Sequence, residues 1–159
     1  MLPGEADMSE VDSIDEILEI AVAREEEAYL LYKDLAKRAK DPAMRIIFEK
    51  FADEEIEHKA KLELEVMKAG KVVVTAEIPV NFKIEDYIED TASIADMNYE
   101  QLLLMAIAKE KRSMRFYIEL AALMQDKEAR ETLISLAEEE AKHEVRFQME
   151  YDYLSPGKG

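Results

Sequence analysis

The chain of 159 residues contains no cysteine and no tryptophan, and only four glycines and four prolines. Without cysteine it has no disulfide, no zinc knuckle, no thiolate-held iron centre and no thiol nucleophile, so any metal must be bound by nitrogen and oxygen ligands. The scarcity of glycine and proline argues against a fibrous or a disordered chain. A chain of this length predicts one domain, residues 1–159, with a core of its own.

Basic residues are also scarce: 21 lysines and arginines stand against 37 aspartates and glutamates, a formal net charge of −16. This charge repels nucleic acids and anionic lipids, so we expect neither as a partner. The longest purely apolar run, Leu102 to Ala108, is far shorter than a membrane span, and the first ten residues lack the pattern of a secretory leader. We therefore expect a cytoplasmic protein. We also expect it to assemble as a homodimer.

Helical periodicity dominates four long stretches that are almost free of glycine and proline. They cover residues 13–39, 42–69, 98–124 and 127–153. The joints within each pair are only a few residues long, which predicts two antiparallel helix hairpins.

Residues 70–97 show no sustained helical pattern and are long enough to run the length of a bundle, so the second and third helices can be parallel. The predicted fold is all-α: a four-helix bundle of two hairpins, 13–69 and 98–153, joined by a long crossover, 70–97.

The two hairpins are copies of each other. A shift of 85 positions aligns residues 21–63 with 106–148 without a gap, and 12 of the 43 aligned positions are identical. Such self-similarity predicts an approximate internal two-fold axis.

Each helix carries an apolar seam with steps of three and four residues, and each seam is interrupted by polar residues at one level only. On the first and third helices the interruption is one glutamate. On the second and fourth it is a Glu-x-x-His pair, whose two side chains share one helix face. The six residues are Glu25, Glu55, His58, Glu110, Glu140 and His143.

In a bundle these six residues meet at mid-height, where unbalanced buried carboxylates are very costly. Two divalent cations supply four positive charges against four carboxylates, and iron or manganese accepts mixed glutamate and histidine ligands. The small neighbours Ala21, Ala28, Ala106 and Ser113 leave room for metals and a small substrate. The sequence therefore predicts a dinuclear metal site in which each Glu-x-x-His glutamate reaches toward the second ion.

Tyr32 and Tyr117 follow the single glutamates by two turns on the same seam, within reach of carboxylates from a neighbouring helix. We interpret them as hydrogen-bond donors that orient ligands, against the alternative of ordinary core tyrosines. The glutamates on either side of the ligands, Glu138 and Glu139 among them, are expected on the solvated surface. Glu54 and Glu139 also match across the repeat, and they replace Glu55 and Glu140 as ligands if the helix phase is wrong by one residue.

With these motifs the chain resembles the rubrerythrin-like branch of the ferritin-like di-iron carboxylate proteins. In that family each hairpin supplies a glutamate, a tyrosine seven residues later and a Glu-x-x-His pair, and both sets are present here. The resemblance implies a ferritin-like fold and a non-haem centre of two iron ions, with manganese or zinc as substitutes. It also implies reaction with hydrogen peroxide or dioxygen, with Tyr32 or Tyr117 as candidate catalytic proton donors.

Two departures from the family qualify this resemblance. Rubrerythrins proper append a four-cysteine rubredoxin domain that delivers electrons, and this chain has no cysteine, so electrons must come from an external donor. Peroxidase members also tend to carry an extra carboxylate where Ser113 stands. The leading hypothesis is a peroxide- or dioxygen-reducing enzyme. The alternatives are a ferroxidase or iron-storage protein, and a bundle that its metals only stabilise.

Overall fold

The computed structural model of the protein describes residues 14–69 and 96–156, so most of the predicted crossover lies outside the described residues. The four helices are α1 (Ile14–Arg38), α2 (Pro42–Ala69), α3 (Tyr99–Leu123) and α4 (Lys127–Leu154). Their ends fall within one residue of the periodic stretches. None of these described helices is apolar over enough of its length to cross a membrane.

The helices begin where the sequence supplies capping side chains. Asp41 accepts a hydrogen bond from the backbone N–H of Ala43 at 3.0 Å, with a proline at the first position of α2. Asn98 and Gln101 form a reciprocal capping box at the start of α3, at 2.8 and 2.9 Å. These bonds satisfy backbone N–H groups that the first helical turn leaves without partners.

Contacts are densest within the hairpins, between α1 and α2 and between α3 and α4. Between hairpins α1 lies against α3, where Arg24 bonds Ser113 and Tyr32 bonds Glu110, so the two helices are antiparallel. Helices α2 and α4 are antiparallel in the same way. It follows that α2 and α3 are parallel, as a long crossover requires.

The core consists of two apolar clusters, one toward each end of the bundle. One contains the start of α1, the end of α3, the start of α4 and Leu62 of α2. The other contains the end of α1, the start of α2, the start of α3 and Phe147 of α4. The apolar seams, which include Phe51 on α2 and Tyr99 on α3, are buried here, except that these two residues are only partly buried. The polar level of each seam lies between the two clusters.

Loss of a helix cap should reduce stability measurably. The side chain of Asp126 accepts a hydrogen bond from the backbone N–H of Ala129 at 3.0 Å at the start of α4. Asp126→Ala leaves that N–H without a protein partner, so we expect the free energy of unfolding to fall by about 1 kcal/mol in urea denaturation. Glu131→Ala, which breaks only an exposed ion pair with Lys127, serves as the control and should change stability by less than about 0.5 kcal/mol. Equal effects would contradict the capping role.

Candidate metal centre

All six predicted ligand residues converge in the layer between the two apolar clusters, and none is more than 2 % exposed. Their oxygen and nitrogen atoms form two groups, and within each group the atoms lie within 4.8 Å of one another. The first group is Glu25, Glu55, His58 and Glu140, and the second is Glu55, Glu110, Glu140 and His143. Glu55 and Glu140 belong to both groups, which is the arrangement expected of carboxylates that bridge two ions.

Helix geometry explains this convergence. A Glu-x-x-His pair places its two side chains one turn apart on the core-facing side, and each single glutamate occupies the matching level of its own seam. Because the hairpins pair about the internal two-fold axis, the two Glu-x-x-His pairs face each other across α2 and α4. Each of the two ligand groups therefore contains residues of both hairpins.

The inward nitrogen of each histidine faces one carboxylate of the opposite hairpin and one of its own hairpin. Nδ1 of His58 lies 2.7 Å from Glu140 Oε1 and 3.6 Å from Glu25 Oε2. Nδ1 of His143 lies 2.9 Å from Glu55 Oε1 and 3.6 Å from Glu110 Oε1.

These short contacts lack hydrogen-bond geometry. Seven buried side-chain atoms of the six residues, including both Nδ1 atoms, have no hydrogen-bond partner. Buried polar atoms without partners are rare, and a set that converges from four helices fits coordination of shared cations. The donor set thus suits two metal ions bound by oxygen and nitrogen.

The outward nitrogens of the histidines bind a second pair of carboxylates. Nε2 of His143 donates to Glu54 at 2.5 Å, and Nε2 of His58 donates to Glu139. The expectation that Glu139 lies on the solvated surface holds in part: its side chain is 37 % exposed, and its carboxylate also bonds a buried histidine. Glu55, which follows Glu54, and Glu140, which follows Glu139, point into the buried layer. The predicted helix phase therefore places the expected glutamates inside.

This pairing orients each imidazole. A bond at Nε2 fixes the tautomer and leaves Nδ1 to face the buried layer. The sequence contained a signal for these carboxylates, because Glu54 and Glu139 are identical across the repeat. Their position at the edge of the seam pointed instead to solvent.

Tyr32 and Tyr117 lie where the seams predicted them, fully buried, and each donates across the bundle axis. The hydroxyl of Tyr32 on α1 bonds Glu110 on α3, and the hydroxyl of Tyr117 on α3 bonds Glu25 on α1. Burial and the charge of Glu25 raise the pKa of Tyr117 well above its usual range, so this hydroxyl keeps its proton. Each single glutamate is therefore oriented by a tyrosine of the other hairpin.

Two buried cations were not predicted. Arg24 is 6 % exposed and donates to Ser113 Oγ at 3.1 Å, and Lys109 is 2 % exposed and donates to Glu27 at 3.3 Å. They precede the ligands of α1 and α3 and occupy matching positions of the repeat. The sequence did contain a signal for them, because both copies of the repeat have a basic residue at this position. The two residues are not identical, however, and they lie beside the apolar seam rather than on it.

Burial dominates the electrostatics of the carboxylates. The pKa of Glu55 is raised well above its usual range by burial and by the charges of Glu140 and Glu25. Burial and the nearby Glu140 raise the pKa of Glu110 in the same way, with a partial offset from Arg24. Without metal, burial therefore favours the protonated form of both side chains.

His58 and Glu140 form the charged pair of the metal-free layer. Burial opposes a charge on His58, but the carboxylates of Glu140 and Glu25 outweigh burial and raise the pKa of His58 to about 11. Burial also opposes ionisation of Glu140, but contacts with Glu110 and with His58 lower the pKa of Glu140 to about 2. A metal at this position must displace protons, so its apparent affinity falls in acid.

The sequence profile of the rubrerythrin family matches residues 16–151, which include all four helices almost completely. The chain belongs to the rubrerythrin family. No protein of curated function matches the sequence. This family is of the di-iron oxidoreductase type.

Solved structures share the fold. A hypothetical protein from Pyrococcus furiosus is 26 % identical, with a TM-score of 0.68 over 89 % of this chain and 90 % of that one. A protein described as a ferritin-like diiron-carboxylate protein from Thermotoga maritima is 19 % identical, with a TM-score of 0.73 over 89 % and 95 %. A manganese catalase from Anabaena is 17 % identical, with a TM-score of 0.66 over 100 % and 83 %. The bundle is therefore ferritin-like.

We expect the folded chain to bind two transition-metal ions per molecule through the six buried residues. Glu25→Ala and Glu110→Ala should each remove at least one ion, measured by elemental analysis after reconstitution with Fe²⁺ under argon. Glu54→Ala should weaken metal binding by roughly 10- to 100-fold, since it removes the bond that orients His143 and leaves the six ligands in place. Less than half an equivalent of metal in the folded parent would exclude a dinuclear site.

Glu26→Ala and Glu138→Ala are matched controls, because each lies one or two residues from a ligand and its side chain is exposed. Both variants should retain two ions. If either proved as damaging as Glu25→Ala, the helix phase of the site would be wrong.

The stability of the metal-free protein should fall as pH rises from 5 to 9. The raised pKa values of Glu55 and Glu110 mean that the folded chain keeps protons that the unfolded chain releases above about pH 4.5. His58, with its pKa near 11, adds stability that is complete below about pH 6.5 and is lost as pH rises above it. The low pKa of Glu140 acts only between about pH 2 and 4.5, outside this range.

Urea denaturation in chelator at pH 5, 7 and 9 measures this slope. The double variant Glu55→Gln, Glu110→Gln is the control for general surface repulsion, because it removes the two raised carboxyl groups and should show a shallower slope. A metal-free parent that gains stability over this range would show that the buried carboxyl groups are ionised.

Proposed function

We propose that the protein is a dinuclear iron oxidoreductase that reduces hydrogen peroxide to water with electrons from an external donor. The observation that carries this proposal is the pair of ligand groups that share Glu55 and Glu140 inside a closed apolar bundle. A centre that only stabilised the fold would need neither two adjacent positions nor shared carboxylates. Membership of the rubrerythrin family supports the same class of reaction.

Reduction of one peroxide molecule consumes two electrons and two protons, breaks the O–O bond and yields two water molecules. When bound, two redox-active ions supply the electrons, one each, and the external donor then restores them. Glu25 and His58 would hold one ion, Glu110 and His143 the other. Manganese is the second candidate metal, since a manganese catalase has this fold.

The chain itself supplies protons, orientation and exclusion of water. Tyr32 and Tyr117 hold hydroxyl protons beside Glu110 and Glu25, close to the place where oxygen atoms of peroxide would need them. Glu54 and Glu139 keep the imidazoles in position. The apolar clusters above and below the layer limit access to small molecules such as peroxide and dioxygen.

Ser113 bears on the proposed reaction. It lies one turn after Glu110, is 8 % exposed and accepts a hydrogen bond from Arg24. The extra carboxylate of typical peroxidase members is thus replaced by a neutral side chain that a cation holds in place. We expect peroxide reduction to depend on four carboxylates rather than five.

The second candidate is a ferroxidase that oxidises Fe²⁺ for binding or storage. The net charge of −16 favours it, because an acidic surface raises the local concentration of cations. The partly exposed carboxylates of Glu54 and Glu139 also connect the surface to the buried histidines. In this case dioxygen would be the preferred oxidant.

We expect reduced, iron-loaded protein to react with hydrogen peroxide faster than with dioxygen in anaerobic stopped-flow mixing. The O–O bond of peroxide is cleaved by the two electrons that the centre holds, whereas complete reduction of dioxygen to water needs four. A larger second-order rate constant with dioxygen would favour the ferroxidase.

The tyrosine roles are tested in the same experiment. Tyr32→Phe and Tyr117→Phe should slow the reaction with peroxide by about tenfold or more if the hydroxyls donate protons. Tyr29→Phe, at a partly buried position outside the seam, is the control and should react like the parent.

A further inference from the structure

The polar ligands obey the internal repeat, but the apolar residues around them do not. At three positions an aromatic residue toward one end of the bundle corresponds to leucine toward the other, and at a fourth, Leu31 and Phe116, the order is reversed. The first three pairs are Phe48 and Leu133, Phe51 and Leu136, and Phe147 and Leu62. The two metal positions therefore have matching ligands and different surroundings.

The ring of Phe51 contacts one of the ligands directly. It stacks on the imidazole of His143 at 4.1 Å between centroids, with 27° between the planes. Tyr32 meets the same imidazole edge-on at 6.3 Å and 88°. Phe147 supports Phe51 from the side at 5.4 Å and 86°. The imidazole of His143 is thus contacted by two aromatic rings, Phe51 in a stacked arrangement and Tyr32 edge-on.

Within residues 14–69 and 96–156, His58 has no equivalent contact. Among the described residues, the only aromatic ring that contacts its imidazole is that of His143, at 6.2 Å. The repeat places Leu136 where Phe51 would be needed. Both halves carry one buried cation, because Arg24 and Lys109 correspond in the repeat. The stacked ring of Phe51 is the nearest aromatic contact that distinguishes the two positions.

A ligand that is already held in its binding orientation loses less side-chain freedom when a metal binds. We propose that Phe51 is a positioning residue that makes the His143 position the tighter of the two, so that the first ion binds there. This inference rests on the proposed dinuclear centre and concerns the order in which its positions fill. A stacked aromatic pair changes an equilibrium constant by roughly two- to tenfold.

Co²⁺ is a suitable probe, because it binds oxygen and nitrogen ligands and its visible absorption reports coordination without turnover. His58→Ala leaves the His143 position, and His143→Ala leaves the His58 position. In calorimetric titrations of metal-free protein, we expect His58→Ala to bind one Co²⁺ roughly two- to tenfold more tightly than His143→Ala. Equal affinities would overturn the proposal.

The role of Phe51 is isolated by adding a second substitution to His58→Ala. Phe51→Leu, which copies the other half of the repeat, should abolish the advantage, whereas Phe51→Tyr should keep it because the ring is retained. Phe48→Leu is the matched control: its ring lies in the same aromatic cluster but has no ring contact with His143. A loss of affinity with Phe48→Leu equal to that with Phe51→Leu would show a general packing effect and refute positioning.

The intact chain gives an independent measurement that needs no histidine variant. Phe51→Leu should weaken the first of the two Co²⁺ binding steps, while an unchanged first step would refute the proposal. If the parent binds no Co²⁺ at all, the dinuclear centre fails and this inference with it. If the parent binds two ions and Phe51→Leu has no effect, only the inference fails.

Discussion

Four carboxylates buried in one layer impose the constraint to which the rest of the bundle conforms. Without cations, burial favours protons on Glu55 and Glu110, and His58 forms a charged pair with Glu140. Metal ions and protons therefore compete for the same atoms. The apolar clusters on both sides make this competition severe, because they exclude the water that would otherwise solvate the charges.

The side-chain hydrogen bonds that orient the ligands of this layer cross from one hairpin to the other. Glu54 orients a histidine of α4, and Glu139 orients one of α2. Tyrosines and buried cations bridge α1 and α3 in the same reciprocal way. Because contacts between the hairpins are otherwise sparse, the polar layer also determines how the two halves pair.

The sequence was most informative where periodicity and chemistry coincide. Glycine-free apolar seams predicted the four helices to within one residue, and a polar interruption at one level predicted all six converging residues. Residues at the edge of a seam were harder to interpret, because an edge glutamate such as Glu139 reaches either solvent or a neighbouring histidine. The choice depends on the distance and rotation of the adjacent helix, which the periodicity of a single helix does not contain.

The reciprocal contacts also bear on the ancestry of the chain. Neither hairpin carries a complete ligand group, because each supplies three members of one group and one shared glutamate of the other. A half-length polypeptide that pairs with its own copy would present the same six ligands, so the architecture is accessible to a dimer before gene duplication and fusion. Once the halves are joined in one chain, each half can mutate independently. Phe51 in one half corresponds to Leu136 in the other, a difference that no symmetric dimer of identical hairpins can have.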